Sequence, residues 1–340
     1  MPSVPFVSTP KPHLIYIASS GFTGSTLLSL VLGAHHSILN LGEFFVLPFD
    51  LKDPEALCGC GKKMTTCDFW RDVSKAIEQR QLDLPGLARF RKRHTGDQLL
   101  RWPELAQLYN LKRFDQQDIA TYAKLNADVF AVMTRAARSS SEISPQPSHD
   151  HHPRSPLLFL DSSKSVYRAL WLQRCDTLDV NTLHLVKDPR AFVYSTIKRI
   201  PDGRKRFFAT IRMALRFNVE NMILARLKKH ATGTGYTLIR YEELASAPEE
   251  TLKQLCKRLG IAFEQTMITG FRDRTNHAVA GNSMRFESRG IEFREEWRAN
   301  LHWWEKAITV ALTYVSGRRY GYYKRSQPWT QPDSGRNLTL

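Results

Sequence analysis

The stretch HLIYIASSGFTGSTLLSLVLG, residues 13–33, decides the fold. His13 to Ala18 is a short apolar run rich in β-formers and predicts a buried strand. Ser19 to Gly24 is a Ser/Gly-rich turn. Ser25 to Gly33, with Leu27, Leu28, Leu30, Val31 and Leu32, reads as a buried helix. Strand, glycine-containing turn and helix open a nucleotide-binding α/β unit. Gly21 and Gly24 let the chain turn sharply, so that the amides of Thr23 to Thr26 face one anion at the positive end of the helix dipole. Ser25 and Thr26 add hydroxyl donors. The plainer alternative is a turn that only caps a helix. No lysine precedes the hydroxyl pair, so the loop is not of the Gly-Lys-Ser/Thr type. With no evident Mg²⁺ site, this argues against an ATPase or kinase.

Strand signals return at Leu157 to Leu160, Thr182 to Val186 and Tyr236 to Tyr241, separated by helical segments such as Phe207 to His230. This alternation predicts an α/β fold with a central, mainly parallel sheet flanked by helices. Pro248 to Leu259 is a helix with Pro and two Glu in its first turn and Gly260 just past its end. Glu295 to Ser316 is helical and carries Trp297, Trp303 and Trp304. Between Phe44 and Arg138 charged helical patterns dominate, as in Trp70 to Gln81 and Asp118 to Arg138, and predict a largely helical insertion, placed at 46–138. Residues 139–156 read as a flexible loop, with His149, His151 and His152 solvated rather than holding a metal. Residues 1–12 and 326–340 read as flexible tails.

A chain of 340 residues, 42% hydrophobic and 24% charged, is long enough for one large domain with an insertion. Its net charge of +16 implies an anionic partner without choosing one. No apolar run is long enough to span a bilayer, and Met1 to His13 lacks the order of a signal peptide, so a cytoplasmic protein is expected. Cys58, Cys60, Cys67, Cys175 and Cys256 are too few for a disulfide framework. Cys58, Cys60 and Cys67 lie close enough to hold zinc with a histidine, but no fourth ligand sits nearby at the usual spacing. Packing or redox roles remain open for them.

A second anion site is predicted at His184 to Ser195. Lys187 ends a strand, where ligands bind in open α/β sheets, and Pro189 starts a helix that carries Ser195. The alternative is a structural turn with Asp188 and Arg190 as a local ion pair.

Together these loops resemble the superfamily of sulfotransferases that use 3′-phosphoadenosine 5′-phosphosulfate (PAPS), in its bacterial-type branch related to tyrosylprotein sulfotransferases. The resemblance runs from about His13 to Tyr322. It includes Gly24-Ser25-Thr26-Leu27-Leu28, Leu32-Gly33-Ala34-His35, Leu41-Gly42-Glu43, Cys58-Gly59-Cys60-Gly61 and Cys67-Asp68-Phe69-Trp70. It continues through Asp161-Ser162-Ser163-Lys164, Arg240-Tyr241-Glu242-Glu243-Leu244, His277 to Asn282 with Met284-Arg285-Phe286, and Arg319-Tyr320-Gly321-Tyr322. The resemblance implies one P-loop-like domain over 1–340. Thr23, Gly24, Ser25, Thr26 and Leu27 would wrap the 5′-phosphosulfate, and Lys187 and Ser195 would hold the 3′-phosphate. Tyr241, Asn282 and Arg285 would lie near the nucleotide. Lys164 would contact the transferring group and Glu43 would be the base. The family usually has Arg or Lys where this chain has Phe22, so a cation is lost from the 5′ site. His36 stands where the family often has Pro.

Sulfuryl transfer needs an in-line nucleophile, a base and charge stabilisation, so positioning and electrostatics do nearly all of it. Glu43 would take the acceptor proton. Lys164 and the loop amides would stabilise the leaving phosphate. No metal is required. His35 is a competing base, although its place after the helix suggests capping. The expected partners are an anionic nucleotide, PAPS with PAP as product, and a small-molecule acceptor. No nucleic acid and no membrane segment are expected. Phe44, Phe45, Trp70, Trp102 and Tyr109 are candidate acceptor contacts or core. A kinase- or NTPase-like enzyme and a non-catalytic polyanion-binding protein stay as alternatives.

Overall fold

The computed structural model describes residues 11–95, 116–139, 157–174, 176–229 and 235–323. Trp102, Tyr109, His149, His151, His152 and Cys175, and most of the two tails and the 139–156 loop, lie outside the described residues.

The strands are β1 (His13–Ser19), β2 (Ile38–Gly42), β3 (Leu158–Asp161), β4 (Asp179–Val186) and β5 (Tyr236–Arg240). They form one sheet in the order β2-β3-β1-β4-β5, with every pairing parallel. β1 is central, and Leu14 to Ala18 are wholly buried, as an apolar run covered on both faces must be. The chain steps to one side of β1 for β2 and β3, and to the other for β4 and β5. This places a topological switch point at the carboxyl end of β1, where open α/β sheets bind ligands.

The longer helices are α1 (Ser25–Gly33), α2 (Asp68–Gln79), α3 (Leu84–Thr95), α4 (Gln116–Ser139), α5 (Val166–Leu172), α6 (Pro189–Ile197), α7 (Arg204–Arg226), α8 (Tyr241–Ser246), α9 (Pro248–Leu259), α10 (Glu296–Asn300) and α11 (Trp303–Arg319). α9 ends as its sequence predicts, on Gly260 in the left-handed region at φ 70°. α2, α3 and α4 make the expected insertion helical. The strand missed by sequence is β2, whose Ile-Leu-Asn-Leu-Gly lacks a β-branched run yet is buried throughout. Asn40 fits there because its amide donates to Ser29 O at 2.9 Å and its carbonyl oxygen accepts from Gly42 N at 3.0 Å.

The chain divides into two compact units, residues 1–186 with 223–293, and 187–222 with 294–340. The first holds the sheet, α1 to α5, α8 and α9. In the second, α6 packs with α10 and α11. A buried ion pair, Arg206 Nε to Glu305 Oε1 at 2.5 Å, ties α7 to α11. Among the described residues no helix is long and apolar enough to cross a membrane.

Candidate active site

Three parallel strands of the first unit end side by side, and each delivers part of the site. β1 runs into the turn before α1. Gly24 precedes that helix at φ 94°, a left-handed conformation, and its backbone lies against the Tyr241 ring: a Cβ there would fall 2.4 Å from Cδ2. No side chain caps α1, so the first amides of the helix have neither an intrahelical acceptor nor a capping oxygen. Thr23 Oγ1 donates to Ser20 O at 2.7 Å and closes the turn. The hydroxyls of Ser19 and Ser20 are buried without a hydrogen-bond partner. The uncapped first amides of α1 form a cradle that an anion's oxygens would satisfy. Phe22 also takes a left-handed φ of 65° and is 59% exposed.

β2 ends at Gly42, and Glu43 follows. β3 ends at Asp161, and Lys164 follows after two serines. The two meet although 121 residues separate them: Lys164 Nζ donates to Glu43 Oε1 at 2.5 Å, and both side chains are partly exposed. The backbone of Lys164 is left-handed at φ 60°, a cost that a non-glycine residue bears only where its surroundings hold it. Those surroundings are visible. Asp161 is wholly buried and accepts from Ser163 N at 2.8 Å and from Arg168 Nε at 2.7 Å. Arg168 also donates to Tyr122 Oη at 2.5 Å. Ser163 Oγ accepts from Phe45 N at 3.1 Å, Ser162 N donates to Gly42 O at 2.7 Å, and Tyr16 Oη donates to Ser165 O at 2.8 Å. The loop bearing Lys164 is therefore pinned on both sides of that residue and tied to the residues flanking Glu43.

A third segment completes this end of the unit. Val279 N donates to Leu41 O, and Glu43 N donates to Val279 O, each at 2.9 Å. Arg285 reaches back from the same segment, with Nη2 on Leu57 O at 2.8 Å and a buried Nε that has no partner. Asp50 lies near it. Burial pushes the Asp50 carboxyl up, Arg285 pulls it down, and the charge of Glu43 adds a smaller upward push.

Among solved structures, sulfotransferase STF9 from Mycobacterium avium matches over 92% of this chain and 78% of its own at 11% identity, with a TM-score of 0.51. The chain has the sulfotransferase fold. Two further sulfotransferase domains, from a Synechococcus olefin synthase and from the curacin biosynthetic pathway, align at 19% and 18% identity. They cover 91% and 90% of this chain and 96% and 98% of their own, at TM-scores of 0.49 and 0.47. No family model and no curated protein matches the chain.

Within this sulfotransferase fold the first unit brings together Thr23 to Leu27 and Tyr241, and separately Glu43 with Lys164. Asn282 is exposed and spends its side-chain oxygen on Met284 N at 2.9 Å. Tyr241 Oη donates to Glu292 O at 3.4 Å. In the second unit Lys187 Nζ lies 3.3 Å from Ser195 Oγ, so that pair is also assembled. The Asp188–Arg190 ion pair is present beside it at 2.6 Å, with Asp188 capping α6. Phe44 and Trp70 are completely buried, so both belong to the core rather than to an acceptor surface. His35 is 1% exposed, its Nε2 lies 2.9 Å from Ala262 O, and burial pushes its pKa down.

Sequence reasoning missed Arg168 and Tyr122, whose pairing with Asp161 leaves no local pattern. It also missed the partner of the cysteines. His277, 210 residues beyond Cys67, presents Nδ1 3.3 Å from Cys67 Sγ and 3.5 Å from Cys58 Sγ.

Proposed function

We propose that the protein is a PAPS-dependent sulfotransferase that moves a sulfuryl group to a hydroxyl or amine of a small metabolite by in-line displacement. The observation that carries this reading is the Glu43–Lys164 pair, held by a pinned and strained loop at the strand ends, in the same unit as the uncapped N-terminus of α1. A carboxylate and an ammonium in contact are already the base and the charge stabiliser that the chemistry needs. In the free enzyme each neutralises the other. When the donor's sulfuryl oxygens take over the ammonium, Glu43 is released to accept the acceptor proton as the nucleophile attacks sulfur.

The cradle of Thr23 to Leu27 is proposed for the 5′-phosphosulfate, with Tyr241, Asn282 and Arg285 near the nucleotide. Lys187 and Ser195 are proposed for the 3′-phosphate, where an ammonium beside a hydroxyl makes a charge-assisted site. The surplus of 49 Lys and Arg over 33 Asp and Glu suits so anionic a donor. The described cysteines form no disulfide, and we assign the protein to the reducing cytoplasm. The transfer step itself calls for no metal.

The test is an acceptor screen that follows PAP release from PAPS without added Mg²⁺, with ATP plus Mg²⁺ in parallel. Acceptor-dependent PAP release supports the reading. Phosphoryl transfer from ATP with no reaction of PAPS would replace it with a kinase.

A further inference from the structure

Four soft or borderline donors that the proposed transfer chemistry does not use converge in the first unit. The Cys58, Cys60 and Cys67 sulfurs and one His277 ring nitrogen all lie within 4.8 Å of one another, three of the four residues being buried and Cys60 half-buried. Cys58 and Cys67 Sγ are 3.7 Å apart, and Cys60 and Cys67 Sγ 3.8 Å. His277 Nδ1 is 3.5 Å from Cys58 Sγ and 3.3 Å from Cys67 Sγ. A tetrahedron with zinc–sulfur bonds of about 2.3 Å and a zinc–nitrogen bond of about 2.0–2.1 Å has sulfur–sulfur edges of about 3.8 Å and sulfur–nitrogen edges of about 3.6 Å. Four of the six edges therefore already lie within about 0.3 Å of the lengths that a central zinc ion would impose.

The surroundings are built to hold these donors. Cys58 N donates to Lys62 O, Gly61 N to Cys58 O and Cys67 N to Lys63 O, each at 2.9 Å, folding residues 58–67 into a tight knuckle. Cys67 directly precedes α2, whose positive end favours a thiolate. The His277 ring stacks on Phe69 at 4.5 Å, and His277 O accepts from Trp70 Nε1 at 3.1 Å. Gly59 N donates to Ala278 O at 2.9 Å, and a Cβ on Gly59 would fall 2.0 Å from Asn276 Oδ1, so only glycine lets the knuckle approach the histidine segment this closely.

We propose that Cys58, Cys60, Cys67 and His277 form a structural zinc site. Three thiolates and an imidazole select Zn²⁺ among the common divalent ions, and four protein ligands leave no open position for substrate or water. Binding replaces the thiol protons with the metal, without any change of oxidation state. The ion clamps the 58–67 knuckle to residues 276–279, the segment that in turn pairs with Leu41 and Glu43. The site is thus a brace for the strand end that carries Glu43, and it does not depend on which donor or acceptor the enzyme uses.

The experiment is elemental analysis of the reduced, full-length protein after gel filtration in a mild chelator, with no donor or acceptor present. One zinc per chain is expected. Cys60→Ser and His277→Ala should lose it, and His277→Cys should regain it by supplying a fourth thiolate. In parallel, zinc-depleted wild-type protein titrated with Co²⁺ should develop the intense sulfur-to-cobalt charge-transfer and visible bands of a tetrahedral thiolate site, and Zn²⁺ should erase them. Wild-type protein that carries no zinc and gives no cobalt bands overturns the proposal. So does zinc that persists in both Cys60→Ser and His277→Ala.

Discussion

Replacing Asp161 by Asn tests how the site is held. Asp161 is wholly buried, and its carboxylate faces Arg168, which is 1% exposed, at 2.7 Å. Asn keeps the shape and one acceptor oxygen but leaves the guanidinium charge buried without its counter-ion. Breaking a buried pair from one side costs about 3–5 kcal/mol, whereas losing one ordinary hydrogen bond costs about 0.5–1.5 kcal/mol. The larger range applies here, because what remains around the Arg168 guanidinium, the Tyr122 hydroxyl and the faces of the Phe44 and Tyr122 rings, carries no negative charge. Urea unfolding of wild type, Asp161→Asn, Arg168→Met and the double variant measures the coupling. The single variants should each lose about 3–5 kcal/mol, and the double variant far less than their sum, since removing both charges leaves none buried alone. The same variants should lower turnover, because Ser163 and Lys164 hang from this anchor. If Asp161→Asn costs less than about 1 kcal/mol, as an exposed pair such as Lys124–Asp128 would, the anchoring argument is refuted.

Gly24→Ala should abolish donor binding and lower the melting temperature. The left-handed φ alone costs an alanine about 1–2 kcal/mol, and the new methyl group overlaps the Tyr241 ring; unchanged PAP affinity by calorimetry would contradict the cradle. Lys187→Ala should weaken PAP binding by about 1.5–3 kcal/mol and Ser195→Ala by less, as befits a charged against a neutral donor; equal binding by both variants and wild type removes the 3′-phosphate assignment. His35 also gives a pH test. Burial holds its folded pKa below the ordinary value of 6.5, against an opposing pull from Glu264. Its contribution to stability is therefore complete above pH 6.5 and is lost as pH falls through that unfolded value toward the folded one. Melting curves of His35→Asn should depend less steeply on pH below 6.5 than those of wild type, and parallel curves would count against a neutral buried imidazole.

Much of the fold is legible because local signals agree with it. The apolar run of β1, the glycine turn and the leucines of α1 each point the same way, and α9 announces both ends with Pro248 and Gly260. β2 was silent because Asn40 and Gly42 spoil a strand pattern, and only the fold shows Asn40 satisfied by Ser29 and Gly42. The site divides similarly. The turn proposed to bind phosphate is contiguous, so that proposal can be made from residues 19–27 alone. The meeting of Glu43 with Lys164 crosses 121 residues, and only a family resemblance could place both beforehand. The role of Asp161 leaves no local signal, since nothing in its neighbourhood reveals Arg168 turned back onto it. The cysteine cluster was visible but incomplete, because its histidine comes from a segment that pairs with β2 only in the folded chain.

The most direct test of the central claim is the turnover of Glu43→Gln with PAPS and a working acceptor, measured beside PAP affinity and beside His35→Asn. Gln keeps the size of Glu43 and removes the proton acceptor. PAP affinity should be maintained, and turnover should fall roughly 10²–10⁴-fold, the usual contribution of a positioned general base. His35→Asn should be the milder variant. Near-normal turnover in Glu43→Gln together with a dead His35→Asn would contradict the account and make the histidine the base.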